Sequence, residues 1–135
     1  MGYTYYSYLA YITSDSAADL PGLHARLQAS FAQLQLASEP LFTLADNELT
    51  ITLTTYHFTI HYATEAHVHE EAQEFAADSP VDLTGQPVDP ARLGACTRRF
   101  ELRGDPDPDM DYFNDSLTIL EALEEFEGVI VLELG

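Results

Sequence analysis

The chain has 135 residues, one cysteine and no lysine, and its 23 Asp and Glu against 5 Arg give a formal net charge of -18. A surface this negative repels nucleic-acid phosphates and anionic lipid headgroups, and it attracts cations, whether metal ions or a basic protein. The length suits one domain over residues 1–135, and a hydrophobic content of 46% sets the acidity on an ordinary apolar complement able to build a core. Missing lysine also has bland origins, in genome composition or adaptation to salt.

Cys96 has no partner for an intramolecular disulfide, and Met1-Gly2-Tyr3-Thr4-Tyr5 lacks the basic and apolar regions of a signal peptide, so a cytoplasmic protein is expected. No apolar run approaches the roughly 18 to 20 residues that span a bilayer. The acids are uneven: five lie between Met1 and Ile60, and 18 follow from His61 onward. The C-terminal half carries the field.

Tyr3 to Thr13, rich in tyrosine, reads as a strand closed by Thr13-Ser14-Asp15-Ser16. Leu20, Leu23, Leu27, Phe31 and Leu34 recur at helical steps, with Asp19 or Ser16 as cap and Pro21 confined to the first turn. Leu41 to Leu44, Asp46-Asn47 and Leu49 to Leu53 form a hairpin pattern, because Asp and Asn accept the positive φ of a two-residue loop. Leu49, Ile51 and Leu53 are apolar at odd positions and Tyr56, Phe58, Ile60 and Tyr62 at even ones. A bulge or tight turn must therefore reset the phase at Thr54-Thr55, leaving His57, Thr59 and His61 opposite the apolar set.

Glu65 to Ala77 is helical in pattern, Asp78 to Ala95 is a long connection with a short helix from Pro90 to Leu93, and Thr97 to Leu102 is a strand. After the acidic loop Gly104 to Asp111, a helix runs from Tyr112 to Phe126 and stops at Gly128. Val129 to Leu134 is an unbroken apolar run, the pattern of a central strand covered on both faces. The expected fold is α+β, a two-layer sandwich of a mainly antiparallel sheet with helices on one face; a ferredoxin-like topology is the leading specific arrangement.

Four of the five histidines fall between His57 and His69, beside several carboxylates, which is raw material for a divalent metal. His57 and His61 stand roughly 13 Å apart on a strand and cannot share an ion unaided. His67 with Glu71 has helical i,i+4 spacing, with His61 as a conceivable third ligand. Asp105, Asp107, Asp109 and Asp111 alternate as calcium ligands would, but Met110 stands where an EF-hand loop needs Gly and Ser116 where it needs Glu. The simpler expectation is that Asp109 or Asp111 caps the following helix.

Arg99 and Arg103 share strand parity and could form an anion site, although internal carboxylates are the expected partners. Cys96 beside Arg98 has no His or acid at a spacing that would make it a nucleophile. Glu121, Glu124, Glu125 and Glu127 crowd a helix C-terminus, where the macrodipole favours cations. That placement suits a surface that meets a basic partner.

The sequence thus points to a non-catalytic acidic protein without a resident cofactor. It docks a basic protein through Asp105, Asp107, Asp109, Asp111, Glu121, Glu124, Glu125 and Glu127, in an inhibitor, immunity-type or nucleic-acid-mimic role. The alternative is metal-dependent or small-molecule binding through the His57 to Glu74 region. The tyrosine-rich first strand offers aromatic anchors for a homodimer.

Overall fold

The computed structural model describes residues 6–34 and 39–133. Six strands, β1 (Ser7–Ile12), β2 (Leu41–Ala45), β3 (Glu48–Leu53), β4 (Tyr56–Ala63), β5 (Arg98–Gly104) and β6 (Val129–Glu133), form one sheet in the order β2-β3-β4-β5-β1-β6. The helices are α1 (Leu20–Ala32), α2 (Ala66–Ala77), α3 (Pro90–Gly94) and α4 (Phe113–Glu125). Every ladder among the described strands is antiparallel. This is the expected α+β sandwich, but a ferredoxin-like chain is built of split βαβ units with parallel neighbours, and this sheet has none.

Both hairpins follow from their turns. Asp46 (φ 47°) and Thr54 (φ 60°) take the positive φ that lets two residues reverse the chain, pairing Ala45 with Glu48 and Leu53 with Tyr56. The Thr54-Thr55 turn resets the apolar phase, so Leu49, Ile51, Leu53, Tyr56, Phe58 and Ile60 all enter one core. In α1, Asp19 accepts the Gly22 N–H at 2.8 Å, Pro21 sits in the first turn, and Leu20, Leu23, Leu27 and Phe31 are buried. Full burial of each such side chain stabilises the fold by ~1.5–3 kcal/mol. Leu34 lies beyond the helix and is exposed.

The alternation of β1 divides the interior. Ala10 and Ile12 join the large core beneath α1 and α4, whereas Leu9 and Tyr11 join a smaller one with Val68 and Ala72 of α2, Leu93 of α3 and Cys96. The sheet with α1 and α4 makes the two main layers. The helices α2 and α3 add a partial cover on the reverse face. Where that cover ends, Thr43, Thr50, Thr59 and Arg103 form a cross-strand row from β2 to β5 with side chains exposed or half-buried.

One expectation is corrected. β6 is an edge strand, not a central one; its apolar run comes from cover on both faces, since Val129 and Val131 meet the large core while Ile130 and Leu132 meet the small one. By contrast β1 is interior, paired by β5 and β6, with Tyr6 and Tyr11 buried. Tyr3 and Tyr5 lie outside the described residues.

Candidate functional site

The acids singled out in the sequence gather at the two ends of α4, about 20 Å apart along a helix of this length. At the N-terminal end, Asp107 is 4% exposed. Its Oδ2 accepts the Tyr6 hydroxyl at 2.6 Å and the Tyr112 N–H at 2.8 Å, and its Oδ1 accepts the Asp111 N–H at 3.0 Å. Burial works to raise this carboxyl, but the three donors outweigh it and hold the group below the usual carboxylate range.

Asp107 is therefore the residue that organises the start of α4, and neither Asp109 nor Asp111 caps it; Tyr112 occupies the N-cap position without a side-chain cap bond. Asp105 turns the other way. Its Oδ2 accepts the His57 N–H at 2.9 Å and lies 3.2 Å from His57 Nδ1, while its carbonyl accepts the Tyr56 hydroxyl at 2.6 Å. Asp109 and Asp111 are exposed.

At the C-terminal end, Glu121, Glu124, Glu125 and Glu127 are all exposed. Glu125 meets Arg26 at 3.3 Å, and the guanidinium of Arg26 also lies 4.2 Å from the ring centroid of Phe126. Glu124 is pushed up, first by partial burial and then by the charges of Asp82 and Glu121. No cation neutralises Glu121, Glu124 or Glu127 among the described residues.

All five arginines are engaged within the chain. Arg26 is on Glu125 and Arg92 lies 3.6 Å from Asp15. Arg98 donates to the carbonyls of Thr13, Ser16 and Ala18, tying down the loop after β1. Arg99, buried, bonds Glu71 and lies 3.4 Å from Glu101, which also accepts from Arg103 at 2.7 Å. The two arginines of the anticipated anion site do converge, but on Glu101. The separation of carbonyl from carboxylate partners is invisible in sequence, since it depends on which loop folds over β5.

The anticipated metal set is divided. Glu71 points to Tyr11 and Arg99, accepting from both. The acid beside His61 and His67 is Glu65, which is held low chiefly by its own backbone N–H, against an opposing desolvation, then by the Thr64 N–H and by those two imidazoles. Among the described residues, no three His, Cys, Asp or Glu side chains converge as metal ligands would. Cys96 is fully buried and its thiol is pushed up to about 11 by burial, with Arg92 and Arg98 opposing. Its position beside Arg98 does not activate it.

A groove of ≈ 260 Å³ opens beside Glu124, between the last turn of α4, β6 and the loop leading into α3. No helix of the described residues is long and apolar enough to cross a membrane. Compared with protein-family models, curated proteins and solved structures, the chain matches none.

Proposed function

We propose that this protein is a non-catalytic binding protein whose acidic surface along α4 docks a basic protein, as an inhibitor, immunity-type protein or nucleic-acid mimic does. The observation that carries this reading is the internal use of every arginine, while Asp109, Asp111, Glu121, Glu124 and Glu127 have no cationic partner among the described residues. Unneutralised like charges at a helix C-terminus cost stability, and a basic partner reverses that cost on binding. Asp107, taken into the fold, is not part of this surface. Glu125 belongs to it only by exchanging Arg26 for a group of the partner.

Such a complex forms quickly at low ionic strength and weakens as salt screens it. The test is capture from cell extract on the immobilised chain, followed by identification of the retained protein and measurement of a one-to-one complex by light scattering. A basic protein retained at about 50 mM salt, released at about 500 mM and lost with Glu121→Lys/Glu127→Lys supports the reading. Retention that ignores both salt and the double variant overturns it.

A further inference from the structure

The groove beside Glu124 has walls and a rim of different chemistry. Leu83, Val88, Val129 and Val131 supply apolar walls, and Asp82 and Glu124 supply carboxylates. Asp82 Oδ1 is committed to its own turn, accepting from Thr84 N–H, Thr84 Oγ1–H and Gln86 N–H, which fixes the carboxylate in place. Asp89, also in the lining, caps α3 by accepting the Ala91 N–H at 3.0 Å. Among the described residues the lining holds one cation, Arg92, whose guanidinium lies 3.6 Å from Asp15. Asp82 and Glu124 thus line the groove with no ion pair to either of them among the described residues, and Glu124 is displaced upward first by partial burial and then by the charges of Asp82 and Glu121.

The occupant is constrained by size and by charge. At ≈ 260 Å³ the groove is below the ~300–1,000 Å³ range of sites for drug-sized ligands. An amphipathic side chain with an aliphatic stem and a cationic head matches apolar walls under an acidic rim. Of the two such residues, arginine has the planar fork of donors that can address two carboxylates at once.

We propose that the groove seats one arginine side chain of the basic partner, its stem against Leu83, Val88 and Val131 and its guanidinium held by Asp82 and Glu124. This rests on the basic-partner reading and adds the place where that partner is anchored.

The test uses the full chain, isotope-labelled for NMR, with two probes: Nα-acetyl-arginine amide, compared with its uncharged citrulline counterpart, and a short alternating arginine–serine peptide followed by fluorescence anisotropy. Glu124→Gln is compared with Glu127→Gln, which removes the same charge from a residue that does not line the groove. The expected result is saturable shifts at Leu83, Val88 and Val131 with the arginine amide alone, and peptide binding weakened by Glu124→Gln at least about fivefold more than by Glu127→Gln. Equal weakening by the two variants, or no saturable shift at those residues, overturns the seat and leaves the basic-partner reading standing. Failure of the peptide to bind the unmodified chain at about 20 mM salt overturns that reading, and the seat with it.

Discussion

Asp107 shows how one carboxylate in an acidic loop becomes structural. It alone among Asp105, Asp107, Asp109 and Asp111 reaches both Tyr6 and the first N–H groups ahead of α4. Asp107→Ala leaves three donors without their acceptor and is expected to cost about 3 kcal/mol in urea unfolding, with Asp107→Asn costing less because one oxygen remains. Because its folded pKa lies below the unfolded value, Asp107 stabilises the protein at neutral pH, and that contribution is lost as pH falls through the folded pKa. The difference between wild type and Asp107→Ala is therefore expected to shrink in acid; a constant difference contradicts the assignment. The alternating Asp pattern is legible in the sequence, but the choice of Asp107 is not. It is made by Tyr6, 101 positions away.

At the scale of elements, α4 and β6 are joined by Gly128, whose φ of +83° sends the chain from helix end to strand. A Cβ there meets the Thr13 hydroxyl and comes within 3.0 Å of Ser16 Cβ, and the Gly128 carbonyl accepts the Thr13 N–H at 2.9 Å. Gly128→Ala is expected to cost at least about 2 kcal/mol, the sum of left-handed backbone strain and displacement of the loop after β1. Thermal unfolding measures it, and a loss below about 0.5 kcal/mol contradicts the close approach.

The last turn of α4 behaves in the opposite sense. A carboxyl whose folded pKa is raised costs stability when ionised, so Glu124→Gln is expected to gain a few tenths of a kcal/mol at neutral pH after solvent screening. The gain vanishes as pH falls through the folded pKa into the range where the group is protonated in both states. A residue that weakens the fold yet lines a groove fits the proposed contact, which would be selected at some expense of stability.

At the scale of the whole molecule, unneutralised charge is the dominant long-range term. Raising salt from about 10 to about 150 mM is expected to raise Tm by a few degrees, because screening relieves self-repulsion more than it weakens the few exposed ion pairs. A fall in Tm contradicts that balance. The elements and their order were legible from periodicity, and the Thr54-Thr55 turn from the shift in apolar phase, because these are local signals. Sheet order was not legible. A run such as Val-Ile-Val-Leu reports cover on two faces, and says nothing of whether both of a strand's edges are paired. The site divided along the same line: the glutamates at the end of α4 stand out against the macrodipole in sequence, whereas the groove beside them needs the loop before α3 folded against β6.

The interior position of β1 sets an order of events during synthesis. Tyr11 lies between Arg99 and Ile130 in the sheet, so β1 acquires its two neighbours only when β5 and β6, made well after it, have appeared. Until then Tyr11 and Leu9, destined for the smaller core, have no strand beside them. The hairpins β2-β3-β4 can close early, but the half of the sheet that holds β1 waits, giving a slow-forming topology with an unpaired aromatic strand exposed in the nascent chain. Twelve of the 23 acids precede β5, so about half of the charge that burdens the finished fold is already in place to keep unfinished copies apart while that strand waits for its partners.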